Sequence, residues 1–243
     1  MEKVRSTWYS PHLRREVTVA RFGHYGAPLL LFPTAGGDAE ECERMLMIRA
    51  LSPLIDAGRL KVYSPDSVAG QTWIDKNVSA SHKAWVQNQY DSYVYHELVP
   101  AIRADCRTPN IELITAGASL GAFNAVASVC RHPDAFKTAI GMSGTYNFTG
   151  WMDGAHPLDF HYASPIHFLP KLADEDHLRL LRQRFIVLAA GEGRWETPRN
   201  SWRMAAVLGS RGVPNRVDLW GKEHDHDWPT WREMLPKYLA EMT

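Results

Sequence analysis

The sequence predicts an α/β fold built on a mainly parallel central sheet. Short apolar runs alternate with longer stretches of helical periodicity along most of the chain, the pattern of strands that exchange with crossover helices. Several runs, among them LLLF at 29–32 and FIVLAA at 185–190, are apolar without interruption, as strands covered on both faces must be. A length of 243 residues suits one such domain, so the expectation is a single unit over residues 1–243 with no large cap domain.

Strands are expected at 16–21, 29–32, 60–64, 111–115, 137–142, 184–189 and 215–219, and helices between or after them at 41–55, 84–103, 120–130, 200–208 and 231–242. In the second helix, Tyr90, Tyr93, Val94, Leu98 and Ile102 recur at three- and four-residue spacing, which puts them on one buried stripe. Gly58, Pro109 and Gly212 stand where helices should stop. Two stretches, 68–83 and 145–173, are rich in Trp, Gly, Asn, His and Pro and break the alternation. They are expected to be long irregular loops that wall a pocket or cover it.

With 27 basic and 27 acidic side chains, the chain lacks the cationic surplus of a general nucleic-acid binder. No segment nears the roughly 18 apolar residues of a membrane span, and the first residues, MEKVRSTWYSPHLRREVTVARFG, contain no leader-like apolar core. Cys42, Cys106 and Cys130 form no CxxC pair. These features lead to the expectation of a cytoplasmic, reduced protein without metal or cofactor, with a homodimer as the default oligomer.

The chemistry is concentrated in three segments. Residues 117–121 read Gly-Ala-Ser-Leu-Gly, after the strand-like IELIT and before an amphipathic stretch. A strand that reverses into a helix within a few residues crowds its backbone, and glycines two before and two after Ser119 remove the Cβ atoms that would clash. The hydroxyl of Ser119 then stands above the sheet edge at a helix N-terminus, where negative charge is stabilised. A serine nucleophile needs an oriented base, and Gly-Lys-Glu-His-Asp-His-Asp-Trp-Pro at 221–229 offers His224 and His226. His226 is preferred because the stiff Asp-Trp-Pro-Thr-Trp that follows can fix its ring, whereas His224 reads as a solvated loop residue. A metal site at His-Asp-His-Asp is the rival reading, and no further ligand cluster supports it. The acid belongs after the strand at 184–189, where AGEGRWETP contains no Asp. Glu196 is the first choice and Glu192 the alternative.

Acyl transfer also needs two N–H donors aimed at the developing oxyanion. Leu120 supplies one. The second is assigned to Ala35, or to its neighbour Thr34, in the Pro-Thr-Ala-Gly-Gly-Asp turn at 33–38. Asp38 would cap the helix after that turn. Trp73, Trp151 and Trp195 are expected in the pocket walls, and Asp66 either orients a polar substrate group or caps a turn.

FPTAGGD at 32–38, GASLGAFNA at 117–125 and HDWPTWREMLP at 226–236 together resemble the esterase D-like group of the α/β-hydrolase superfamily, over about residue 16 to the end. The resemblance implies a sheet of about eight strands without a large cap, and hydrolysis of carboxylic esters or thioesters through an acyl-enzyme, with Ser119 as nucleophile and His226 as base. GEGRWE is a variant of the group's acid segment and does not choose between Glu192 and Glu196. The expected function is therefore a carboxylesterase acting on a small-molecule ester. Acyl transfer to an alcohol or sugar, and a hydrolase-fold binding protein without turnover, are the alternatives.

Overall fold

The computed structural model describes residues 1–152, 154–155 and 157–243. The strands in chain order are β1 (Lys3–Ser10), β2 (Arg15–Phe22), β3 (Ala27–Phe32), β4 (Leu60–Pro65), β5 (Leu113–Ala118), β6 (Phe136–Met142), β7 (Phe185–Ala190) and β8 (Asn215–Leu219). They form one sheet in the order β1-β2-β4-β3-β5-β6-β7-β8. The β1–β2 and β2–β4 pairings are antiparallel, and every pairing from β4 across to β8 is parallel.

The helices are α1 (Glu41–Arg44), α2 (Met47–Asp56), α3 (Val68–Ile74), α4 (Ala80–Tyr93), α5 (Val99–Asp105), α6 (Leu120–Arg131), α7 (Leu158–Ala163), α8 (Pro165–Phe168), α9 (Glu175–Leu181), α10 (Pro198–Ser210) and α11 (Trp228–Met242). They cover both faces of the sheet. Along β3, Leu30 and Phe32 enter a core shared with α4, α5, α6 and α10, while Leu29 and Leu31 enter one shared with α2 and α11. Strict alternation of side chains along a strand therefore sends LLLF into two cores, which is why the run has no polar position.

The structure departs from the sequence expectation at several elements. β1 was not anticipated: its KVRSTWYS lies on the sheet edge with most residues in solvent, so no apolar alternation marks it. The expected helix at 41–55 is split, because Leu46 takes the left-handed conformation at φ 63°. The stretch 68–83 is not an irregular loop; it forms α3 and the start of α4. The stretch 145–173 contains α7 and α8 with single 3-10 turns at Thr149–Trp151 and Leu169–Lys171. α9 was also not anticipated.

The expected helix at 84–103 begins earlier, at Ala80, and passes through a π turn at Val94–Leu98 before continuing as α5. Within that turn Glu97 reaches the β1–β2 hairpin, accepting from Trp8 Nε1 at 3.2 Å and Ser10 Oγ at 2.8 Å and meeting His12 Nδ1 at 2.6 Å. A carboxylate thus ties the mostly exposed edge strand to the helix layer.

At the turn from β5 into α6 the backbones nearly touch. A Cβ on Gly117 would lie 2.3 Å from the carbonyl of Gly121, and a Cβ on Gly121 would lie 2.5 Å from the carbonyl oxygen of Pro33 and 2.7 Å from that of Phe32.

Gly121→Ala is expected to lower folding stability by about 1–3 kcal/mol, since backbone rather than a movable side chain opposes the added methyl; a urea melt measures it, and an unchanged midpoint would show that α6 can shift away. Burial pushes the Glu97 carboxyl up, but the bonds from His12, Ser10 and Trp8 more than offset this and leave it below its ordinary 4.5. A depressed folded-state value contributes stability above the unfolded titration point, and that stability is lost as pH falls through the folded one. The destabilisation of Glu97→Gln relative to the parent should therefore be full near neutrality and shrink below about pH 4.5, as thermal melts across pH would record.

Candidate active site

Ser119 occupies the turn between β5 and α6 with φ 56° and ψ −116°, a backbone state that costs a non-glycine residue on the order of 1–3 kcal/mol. The strain is held by its surroundings: Ser119 donates its N–H to the Met142 carbonyl at 2.9 Å and accepts from the Thr145 N–H at 3.2 Å. The residue stays partly exposed while its neighbours Ala118 and Leu120 are buried. The N–H of Leu120, at the head of α6, has no intrahelical acceptor by construction.

The loops after β7 and β8 meet at the same edge of the sheet, and backbone bonds clamp them together. Glu192 N–H donates to Gly221 O at 2.9 Å, Gly193 N–H to His224 O at 3.0 Å and His226 N–H to Arg194 O at 3.0 Å. Asp225 accepts from the Arg194 N–H at 2.7 Å and from its Nε at 2.9 Å, and these bonds, the backbone one first, hold its carboxyl below the usual carboxylate range. A Cβ on Gly191 would lie 2.0 Å from His224 O, and one on Gly193 2.3 Å from Asp225 Oδ1. The glycines of GEGRWE exist for this contact.

Glu196 and His226 come together; Glu192 and His224 do not join them. The Glu196 side chain is 1% exposed, and its Oε2 lies 3.9 Å from His226 Nδ1. That separation is within ion-pair distance and longer than a hydrogen bond. Its other oxygen, Oε1, accepts a short hydrogen bond from Ser143 Oγ, which in turn accepts from the buried Trp231 Nε1 at 2.9 Å. The Trp231 ring meets the His226 ring edge-on, with centroids 5.2 Å apart. Glu192 is exposed. His224 differs from the expected solvated residue: it is mostly covered, with Nε2 3.3 Å from Glu233 Oε2 and its ring against Trp220. The two histidines thus serve different carboxylates on different sides of the loop.

The turn after β3 separates the two candidates for the second donor. Thr34 gives its N–H to Glu41 Oε2 at 2.7 Å and its hydroxyl to Glu41 Oε1 at 2.7 Å, so its N–H is occupied. Among the described residues the N–H of Ala35 meets no acceptor. α3 braces this turn, because Gly70 packs where a Cβ would lie 2.6 Å from Ala35 O and Gln71 Nε2 donates to Gly37 O at 2.9 Å. Asp66 has a structural role, accepting from the N–H groups of Thr18 at 2.8 Å and Ala39 at 3.0 Å. Asp38 accepts from Glu40 N–H at 2.9 Å and from Arg44 at 2.8 Å.

Trp73 is buried at 1% exposure and donates to Gln87 Oε1 at 3.0 Å. It packs with Phe148, Phe160 and Trp151, at centroid distances of 4.7, 5.8 and 6.3 Å, in a cluster that includes Leu120 and touches Ala35. Trp151 is the half-exposed member of that group. Trp195 stands apart, 77% exposed, with φ 62° and the Arg194 guanidinium 5.3 Å above its ring. Sequence reasoning missed Ser143 and the hydrogen bond of Trp231. The available signal was a small polar residue directly after a buried strand, at the carboxyl edge where functional groups of open α/β sheets collect.

The sequence family described as "Putative esterase" matches residues 62–242. No curated protein sequence matches the chain. Among solved structures, a ferulic acid esterase superposes with a TM-score of 0.76 at 17% identity, covering 100% of this chain and 99% of its own. The S-formylglutathione hydrolase of Agrobacterium tumefaciens gives 0.74 at 16% identity, covering 98% and 94%. The fluorophosphonate-binding serine hydrolase F of Staphylococcus aureus gives 0.75 at 15%, covering 99% and 98%. At such identities the superpositions speak for the shared α/β-hydrolase fold, and the family match for ester hydrolysis. The chain belongs to the esterase family and is a carboxylesterase-like hydrolase.

Proposed function

We propose that the chain hydrolyses small carboxylic esters or thioesters through an acyl-enzyme, with Ser119 as nucleophile, His226 as general base and Glu196 as the acid that orients it. The observation that carries this reading is the nearly inaccessible Glu196 carboxylate facing His226 Nδ1 while Ser143 Oγ holds its other oxygen. A buried carboxylate needs partners that justify its desolvation, and an imidazole with a hydroxyl is the pairing a triad requires.

Ser119 Oγ attacks the ester carbonyl carbon as its proton passes to His226 Nε2. The tetrahedral oxyanion accepts hydrogen bonds from the N–H groups of Leu120 and Ala35, donors whose individual removal in such sites costs about 10²–10³ in rate. Collapse breaks the bond to the alcohol or thiol, which leaves with the proton from His226. Water then attacks the acyl-Ser119 ester, giving its proton to His226, and a second collapse releases the carboxylic acid and restores Ser119. Glu196 stays ionised throughout, holding Nδ1–H so that Nε2 faces the serine. The aromatic group of Trp73, Phe148 and Trp151 lies against the donors and would border the substrate there.

A fluorophosphonate should label the folded protein at Ser119, as peptide mass spectrometry would read, and Ser119→Ala should lose the label together with about 10⁴-fold or more of aryl acetate hydrolysis. Labelling at another serine, or undiminished hydrolysis, would overturn the assignment. Glu196→Gln should lower kcat by about 10³–10⁴-fold, the range for a triad acid, whereas Glu192→Gln should leave it within a few-fold. The reverse ranking in steady-state assays would move the acid to Glu192.

A further inference from the structure

At the end of the sheet opposite Ser119, before the starts of β3 and β4, an open cleft of about 870 Å³ is lined by Arg21, Arg59, Lys61 and Arg107, with Asp105 as the one side-chain carboxylate and the terminal Thr243 beside them. That volume is in the range that holds a small organic ligand. Asp105 is already committed. It meets Lys61 Nζ at 2.7 Å, Arg21 at 3.0 Å and the Tyr63 hydroxyl at 2.6 Å. Burial pushes its carboxyl up, but the Lys61 and Tyr63 bonds outweigh this and hold it low, so it stays anionic and serves the cleft floor. Lys61 is 5% exposed there, and Arg21 is also tied to Glu2 at 2.7 Å. Its Nε remains buried without a hydrogen-bond partner. Among the described residues the Arg59 side chain donates only to the Ala240 carbonyl, at 2.8 Å. Among the described residues neither Arg59 nor Arg107 has a carboxylate within ion-pair distance. The cleft therefore keeps a positive surplus in a concavity in which Arg59 and Arg107 are exposed and Lys61 is buried, and a concave surface of one charge sign concentrates its field.

Beside it lies a slot of about 130 Å³ between β1, β2 and α5, lined by Val4, Trp8, Val19, Leu98 and Ile102 and sharing Arg21 and Asp105 with the cleft. The two adjoin at the Arg21–Asp105 pair, the cleft cationic and the slot largely apolar. We propose that cleft and slot act together as a second binding site for a small amphipathic anion, with a carboxylate or phosphate head on Arg59, Arg107 and Arg21 and an apolar tail in the slot. Guanidinium groups suit both heads, since their forked donors match the oxygens of either. The site is independent of the catalytic assignment, because the length of the sheet separates it from Ser119.

Isothermal titration of the Ser119→Ala chain with octyl phosphate, octanoate, octanol and inorganic phosphate tests the proposal. One or both of octyl phosphate and octanoate should bind at one equivalent, and which of them binds identifies the head group. Octanol and inorganic phosphate, each carrying half of the chemistry, should bind at least about tenfold more weakly. The double variant Arg59→Ala/Arg107→Ala, whose side chains hold no buried partner, should weaken the amphipathic probe about tenfold or more and leave the melting temperature near that of the parent. Ala101→Phe, which fills the slot from its exposed wall, should weaken octyl phosphate without changing inorganic phosphate. Absence of saturable binding by both amphipathic probes, or equal affinity in the double variant, would overturn the proposal.

Discussion

The candidate site depends on a backbone contact that two missing side-chain atoms permit. α6 can lie against β3 and β5 only because Gly117 and Gly121 carry no Cβ. This approach places Ser119 and the first N–H of the helix together at the carboxyl end of β5. It also brings the carbonyls of Phe32 and Pro33 against α6, so the turn that follows them, with Ala35 in it, is set at the same edge as Ser119 by the same contact. One steric condition thus fixes two of the electrostatic elements of the site, and the strain in Ser119 is the local cost of meeting it.

The remaining elements arrive from the far side of the sheet and are assembled by hydrogen bonds rather than by close packing. Gly191 and Gly193 let the loop after β7 lie on the loop after β8, and the Arg194–Asp225 clamp locks the two in register. Glu196 and His226 are thereby held on two loops bonded to each other. Below them the indole of Trp231 and the hydroxyl of Ser143 form a short chain to the carboxylate. The supports of the site are bonded to one another and not merely adjacent.

What the sequence disclosed follows from which interactions are local. The inner strands could be read because residues such as Leu29 to Phe32 face apolar surroundings on both sides. The glycine pattern around Ser119 could be read because steric crowding is a short-range matter. β1 could not, since its place comes from pairing with β2 and from Glu97, a residue far away in sequence. α3 escaped for a related reason: its glycine, which weakens helical propensity, is required by the contact with Ala35. The exclusion of Thr34 as a donor depends on Glu41 turning back to it, and Ser143 gains meaning only when β7 and α11 lie beside it. Such relations are properties of the folded chain and leave no periodicity behind.

The indole that Trp231 lends to Ser143 joins α11 to the Glu196 carboxylate through a single hydroxyl, so side chains from three distant stretches of the chain must be in place before that carboxylate has its full set of partners.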